Sequence, residues 1–271
     1  MVTEPAPSPP PTPPALDARM RRYMRARALR RGISEALSAG VRVAYRGRLD
    51  VRRHSIIIPE SSLSPWRYDE QFKAVLASIK GFTLVDEMRL YELWSLTGQL
   101  ADAPGDILEV GVWRGGSGCL VAKRSMQLGS DARVVLCDTF SGVVKAGDED
   151  PIYTGGEHED TSADLVLDLA RSLGLDNVEV LQGIFPDETG TSIEDRTFKL
   201  CHLDVDVYGS TRDAAGWLWP RLQPGGVIVV DDFGGEGMDG VVQAVDEIVQ
   251  GKPCRMVHNL NGHAVIVKIG D

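Results

Sequence analysis

From Asp106 onward, seven short apolar runs alternate with stretches of helical spacing. The runs are 106–111 (DILEVG), 132–138, 178–183, 198–204, 226–232, 254–259 and 263–269. Helical candidates fall at about 117–128, 161–173, 210–222 and 238–250. Strands this continuously apolar, separated by helices, belong to a parallel sheet buried on both faces. Only Leu260, Asn261 and Gly262 separate the last two runs, so those two form a hairpin. The pattern therefore predicts an α/β fold with a seven-stranded, mostly parallel sheet and one antiparallel strand.

The first hundred residues read differently. Residues 1–14 hold seven prolines, and residues 1–15 are expected to be a disordered tail. A helix is predicted from about Leu16 to Arg31, and Pro59 and Pro65 mark an irregular connector. Two more helices follow at about 69–79 and 86–99. Residues 16–104 thus read as a helical N-terminal arm and cap, ahead of the main domain at 105–271.

Charge divides the same way. Residues 1–54 carry 12 arginines against 4 acidic residues, whereas the remainder carries 17 basic and 35 acidic residues. An acidic body argues against nucleic acid as the partner. A basic arm can dock on its own acidic body or on a second subunit, which points to a homodimer or larger homo-oligomer. No apolar run of about 18 residues appears, so neither a membrane span nor a membrane partner is expected. The N-terminus lacks a basic-then-apolar signal pattern, and a cytoplasmic location is expected. Cys119, Cys137, Cys201 and Cys254 form no CxxC pair and read as reduced, buried thiols.

Two segments carry the candidate chemistry. LDVDVYGST (203–211) and GGVIVVDDF (225–233) put Asp204, Asp206, Asp231 and Asp232 at the ends of two apolar runs that read as neighbouring strands. Adjacent strands lie about 4.8 Å apart, and carboxylates crowded at their tips repel unless a cation or a shared proton intervenes. Such an oxygen-rich site suits a hard divalent ion. If both stay extended, Asp204 and Asp206 share a face. The plainer alternatives are a helix cap for Asp206 and solvated turn acids for Asp231 and Asp232.

The first strand leads into EVGVWRGGSG (109–118), a glycine-rich turn before a helix that starts near Ser117. Gly111 has no glycine two positions on, so this is not the pyrophosphate fingerprint GxGxxG. Glu109 suits a cationic group such as an amino-acid ammonium, and Asp138, at the end of the second strand, suits the two hydroxyls of a ribose. A ligand with an amino-acid end and a nucleoside end fits both, and S-adenosylmethionine is such a ligand.

The segments GDILEVGVWRGGS (105–117), LCDTFSG (136–142), LQGIFPDE (181–188), LDVDVYGST and LQPGGVIVVDDF (222–233) resemble the macrocin O-methyltransferase family. That resemblance implies a Rossmann-like class I methyltransferase that is metal-dependent and acts on sugar hydroxyls of natural products. It implies Asp204, Asp231 and Asp232 as magnesium ligands and Asp206 as general base. It also implies Glu109, Gly111, Asp138 and the turn from Gly183 to Phe185 as S-adenosylmethionine contacts, with Gly115 and Ser117 in the same glycine-rich turn. Ile184 stands where the family usually carries tryptophan, and the first 54 residues are unlike the family.

The chemistry expected is methyl transfer to a sugar hydroxyl of a small glycosylated substrate. A magnesium ion would stabilise the developing alkoxide, and a carboxylate would take the proton. The competing readings are a phenolic or catechol acceptor, a polysaccharide end, a sheet recruited to hydroxylation or dehydration, and a nucleoside-binding scaffold without turnover. His202 reads as a core histidine or a partner of the metal ligands. His158 lies in the polar loop 147–160, which is long enough to be a lid. Tyr153 and Tyr208 could stack on a sugar ring, with packing beneath the metal site the preferred reading for Tyr208. Trp217 and Trp219 are expected in the core.

Overall fold

The computed structural model describes residues 18–44, 55–58 and 61–270. The proline-rich segment 1–15 lies outside the described residues. The chain divides into two compact units, Met1–Ser62 and Leu63–Asp271.

In the first unit, helix α1 spans Ala18–Ala44, beyond the expected end at Arg31. Gly32 does not stop it. A lone interior glycine costs only about 1 kcal/mol relative to alanine, and Ile33–Ser38 resumes residues that tolerate a helix, with Arg31 paired to Glu35 one turn on at 2.9 Å. Met20, Met24, Leu29, Ile33 and Leu37 are exposed along this helix.

The second unit holds helices α2 (Glu70–Ser78) and α3 (Glu87–Gln99), then strands and helices in alternation. These are β1 (Asp106–Val110), α4 (Gly116–Gln127), β2 (Val134–Asp138), α5 (Ala163–Ser172), β3 (Val178–Gln182) and β4 (Phe198–Leu203), followed by α6 (Tyr208–Leu218), β5 (Leu222–Val230), α7 (Asp239–Val249), β6 (Cys254–His258) and β7 (Ala264–Lys268). Strand order is β3-β2-β1-β4-β5-β7-β6. All pairings are parallel except those of β7, which runs antiparallel to both β5 and β6. This is the predicted seven-stranded sheet with its terminal hairpin.

The boundary between units falls after Ser62 rather than at 104/105. The reason is packing. Phe72, Val75, Leu90, Leu93 and Trp94 from α2 and α3 join Leu120 and Val121 of α4 against one face of the sheet, through Ile107, Val134, Leu136 and Leu200. Those helices are capped by design of the sequence: Asp69 accepts from the Phe72 N–H at 3.0 Å, and Asp86 from the N–H groups of Met88 and Arg89. The opposite face of the sheet, with Leu108, Val110, Cys201, Leu203, Ile228 and Val230, packs against α6 and α7.

Because β1 lies between β2 and β4, the order of connection reverses at β1/β4, and the crevice beyond those strand ends is where such sheets bind ligands. The two strand ends approach closely there. Gly111 has φ +83°, and a Cβ on it would sit 1.7 Å from the Asp204 carbonyl oxygen. Gly81 has an equally left-handed φ of +84° but open space around it. Gly111→Ala is therefore expected to cost at least about 3 kcal/mol in chemical denaturation, against about 1 kcal/mol for Gly81→Ala, which bears only the backbone penalty.

Candidate active site

Pleat parity decides which side chains meet at the strand ends. On β1, Leu108 and Val110 face α6 and α7, so Glu109 faces α3 and α4. Its register partner on β4 is His202, and the His202 ring meets Glu109 through Nδ1 at 2.7 Å. Asp231 follows Val230 on the same side as His202, and His263 immediately precedes Ala264, the partner of Val230. The Nε2 atoms of His202 and His263 each lie 3.7 Å from a carboxylate oxygen of Asp231. From α3, Glu92 holds the other nitrogen of His263 at 2.6 Å and is itself bonded by Asn259 and Asn261. Arg89, also on α3, binds Asp231 and lies 3.4 Å from Asp232, while its Nε holds Asp86 at 2.8 Å.

Asp231 is thus the centre of a buried polar network. Burial opposes its charge, yet His202 and then His263 outweigh that and hold its carboxyl well below the usual range. The reverse holds for His202: burial lowers its pKa, but Asp231 and Glu109 raise it to about 10. His263 is raised in the same way against burial, by Asp231 and Glu92.

The other three aspartates have less support: Arg89 lies 3.4 Å from Asp232 and the Tyr153 hydroxyl donates to Asp206, but burial and their neighbours' charges prevail. The carboxylates of Asp204, Asp206 and Asp232 each offer an oxygen within 4.8 Å of the other two. Asp206 and Asp232 adopt left-handed backbone, at φ +65° and +58°, a conformation that costs free energy outside glycine and recurs at functional sites. Strand β4 ends at Leu203, so Asp206 reaches the rim beside Asp204 by that left-handed turn and not by extended alternation. Nor does it cap α6. That helix begins at Tyr208, earlier than the expected Ser210, and the Tyr208 N–H is taken at 2.9 Å by Asp150 from the loop before α5. Burial, and then Asp232, push Asp206 up to about 8. Burial followed by Asp231 also raises Asp204 and Asp232.

These groups open onto a cavity of about 250 Å³ at the switch point. Of the expected cofactor contacts, Gly111, Ser117, Asp138, Gly183 and Phe185 line it, with all four aspartates. Gly115 does not. It starts α4 at φ +87° with the Val166 side chain against it. Glu109 is also off the wall, buried beneath the turn with Oε1 on His202. Gly118 leaves room for it, since a Cβ there would lie 2.3 Å from Glu109 Oε2. Asp138 accepts from the N–H groups of Val112, Trp113 and Phe140 at 2.7, 2.8 and 2.7 Å, so it also ties the glycine-rich turn to the end of β2.

Two residues of the loop expected to be a lid line the cavity. The Tyr153 hydroxyl donates to Asp206 at 2.9 Å, and Tyr153 and His158 both line the wall. Burial and the Asp206 charge raise the Tyr153 pKa, keeping the phenol protonated. Trp113 Nε1 anchors the far end of the loop on Asp160 at 2.7 Å. Tyr208 packs against the core, and its hydroxyl donates to Glu247 at 2.9 Å on the surface. Trp217 packs edge-on against Phe185 at 5.0 Å, as a core residue. Arg89, Glu92 and His263 escaped the sequence reading. His263 was recoverable from the hairpin register beside Asp231, but Arg89 and Glu92 sit in an ordinary amphipathic helix without a motif.

The sequence profile described as Macrocin-O-methyltransferase (TylF) matches residues 67–258. The chain is similar to the mycinamicin III 3''-O-methyltransferase of Micromonospora griseorubida, 36% identical over 143 residues that are 48% of this chain and 56% of that one. It is also similar to the 8-demethyl-8-(2,3-dimethoxy-alpha-L-rhamnosyl)-tetracenomycin-C 4'-O-methyltransferase of Streptomyces olivaceus, 37% identical over 146 residues, 49% of this chain and 55% of that one. The chain thus spans about half the length of the curated relatives it matches. Among solved structures it resembles the O-methyltransferase NovP with a TM-score of 0.59 and 23% identity, over 70% of this chain and 83% of that one. Among the described residues no helix is long and apolar enough to cross a membrane.

The raised acids make stability depend on pH. A carboxyl whose folded pKa exceeds its unfolded value of about 3.9 favours the fold at low pH and loses that contribution as pH rises through the folded value. In divalent-free buffer, stability is expected to fall between pH 4 and about 8, the value of Asp206. Asp206→Asn should flatten that slope and be more stable than the parent at pH 8 by about 1 kcal/mol or more, measured by denaturant titration at each pH.

Proposed function

This chain belongs to the macrocin O-methyltransferase family, and we propose that it transfers a methyl group from S-adenosylmethionine to a sugar hydroxyl of a glycosylated natural product, with magnesium at the acid cluster. The observation that carries the reading is the convergence of four aspartates from β4 and β5 on one cavity, beside the glycine-rich turn of β1. Gly111, Ser117, Asp138, Gly183 and Phe185, the residues expected to hold the donor, all line that cavity, which supports its binding there. A hard divalent ion fits the donor set, which is all carboxylate oxygen and includes Asp231 Oδ2, buried without a hydrogen-bond partner. The names of the two relatives support a sugar acceptor.

Asp204, Asp231 and Asp232 are the proposed magnesium ligands, and Asp206 the base. The ion would supply charge stabilisation for the acceptor oxygen as it loses its proton. The residues do the rest. Asp206 sits on the rim nearest the lid, where its carboxylate can accept a proton from a hydroxyl in the place now held by the Tyr153 phenol. Its upward-shifted affinity for a proton suits a base near neutral pH, because a carboxylate in the ordinary range would be too weak. His202 and His263 hold Asp231 ionised and oriented. Tyr153, His158 and Trp113 wall off the cavity, so that donor and acceptor meet with little water between them.

One observation favours a second reading. A phenol hydroxyl, that of Tyr153, already fits against Asp206 at 2.9 Å, so the site also suits a phenolic or catechol acceptor. Parallel assays with a glycosylated macrolide and with a catechol decide between them. Asp206→Asn is expected to lower kcat by roughly 10²–10⁴-fold while donor binding, measured by calorimetry, stays within about threefold. Chelation should abolish turnover and magnesium restore it. Full activity after chelation, or an Asp206→Asn enzyme as fast as the parent, overturns the mechanism.

A further inference from the structure

We infer that Arg89 is the resident counter-ion of the acid cluster, that a divalent cation must displace its guanidinium to bind, and that Arg89 thereby sets the metal affinity of the centre. This inference rests on the divalent-ion reading proposed above and names the residue that regulates it.

The geometry carries the argument. Arg89 Nη1 is bonded to Asp231 Oδ1 and lies 3.4 Å from Asp232 Oδ1, bridging two of the three proposed ligands. Its side chain is 17% exposed and that of Asp231 only 1%, so this pair meets with little solvent to screen it. Among the described residues, neither Asp204 nor Asp206 has a lysine or arginine within salt-bridge distance. The guanidinium is therefore, among the described residues, the arginine or lysine charge paired with this cluster of four carboxylates, and it neutralises part of their charge. A divalent cation held by the same two carboxylates would lie next to the guanidinium, and the two positive charges repel strongly unless the guanidinium moves off.

The displaced side chain has a place to go. Nε holds Asp86 Oδ2 at 2.8 Å, and Asp86 is the N-cap of α3, fixed by two backbone N–H groups. Arg89 also lines the open cavity. Release from Asp231 therefore leaves the guanidinium tethered by its first partner at the cavity wall. Binding of the ion becomes an exchange of one cation for another.

The test is calorimetric titration of magnesium chloride into the full chain, with Arg89→Gln, Arg89→Lys and a charge control, Arg124→Gln. Arg124 lies over the Trp94 ring and bonds Gln71, away from the cluster. Arg89→Gln is expected to bind magnesium about tenfold tighter or more, Arg89→Lys to fall between it and the parent, and Arg124→Gln to match the parent. Melting temperatures give a second readout. Without magnesium Arg89→Gln should melt below the parent, and its rise on adding magnesium should be the larger of the two. A merely structural arginine would lower both melting points alike.

Equal or weaker magnesium binding by Arg89→Gln overturns the inference and leaves the metal reading intact. Magnesium bound by Arg89→Gln and not by the parent upholds the inference and overturns magnesium dependence of the parent. Binding by neither overturns both. Should Arg89→Gln fail to fold, Arg89→Lys is scored in its place, with affinity at or below that of the parent counting against the inference.

Discussion

Four carboxylates meet at the tips of two adjacent parallel strands, largely out of water, and the surrounding structure is organised by the need to offset their charge. Asp231 is stabilised by two histidines and an arginine, each secured from behind by another carboxylate: Glu109 behind His202, Glu92 behind His263 and Asp86 behind Arg89. The result is a relay of alternating sign running from α3 across the ends of β1, β4 and β5. In Asp204, Asp206 and Asp232, burial and mutual repulsion outweigh the help that Arg89 gives Asp232 and Tyr153 gives Asp206, and their proton affinity rises. A site in that condition attracts cations and protons alike. The same imbalance that weakens the fold gives the cavity its chemistry, a pattern expected where function is built at a cost in stability.

The fold supplies this arrangement by simple means. Parallel pairing aligns the carboxyl ends of β1, β2, β4 and β5 on one edge, and the reversal of strand order at β1/β4 opens the crevice there. Glycine at 111 lets β1 turn directly against the Asp204 carbonyl. Asp138 then fixes the glycine-rich turn through backbone N–H groups, so that the turn and the acid cluster are held in one rigid frame. The loop from β2 to α5 closes over it, and its own Asp150 caps the helix that follows Asp206. The acid rim, the covering loop and the helix start are therefore coupled through a few hydrogen bonds.

Much of this was legible in the chain. Alternating apolar and helical segments dictate a parallel sheet because strands buried on both faces have no polar side to show. The spacing LDVDVY and the pair of aspartates after GVIVV lie at strand ends by the same logic, and the glycine-rich turn follows from its place after the first strand. Residues acting through backbone geometry were less visible. Asp206 reaches the rim through a left-handed turn, and nothing in its spacing marks that conformation. Asp138 read as a free ribose acceptor, yet most of its capacity is spent on the turn. Glu109 read as a ligand contact, but pleat parity sends it under the sheet to His202.

What the sequence by itself determined is the architecture and the inventory of the site: periodicity selects the secondary structure, and strand ends collect the acids that periodicity leaves outside the core. What only the tertiary structure decided is which acids carry a partner. Arg89 and Glu92 come from a helix more than a hundred residues away in the chain, and a lone arginine or glutamate on an amphipathic helix has no local pattern that reveals its contact. Charge pairing across such distances depends on how helices pack on a sheet, and packing is a property of the whole fold rather than of any segment.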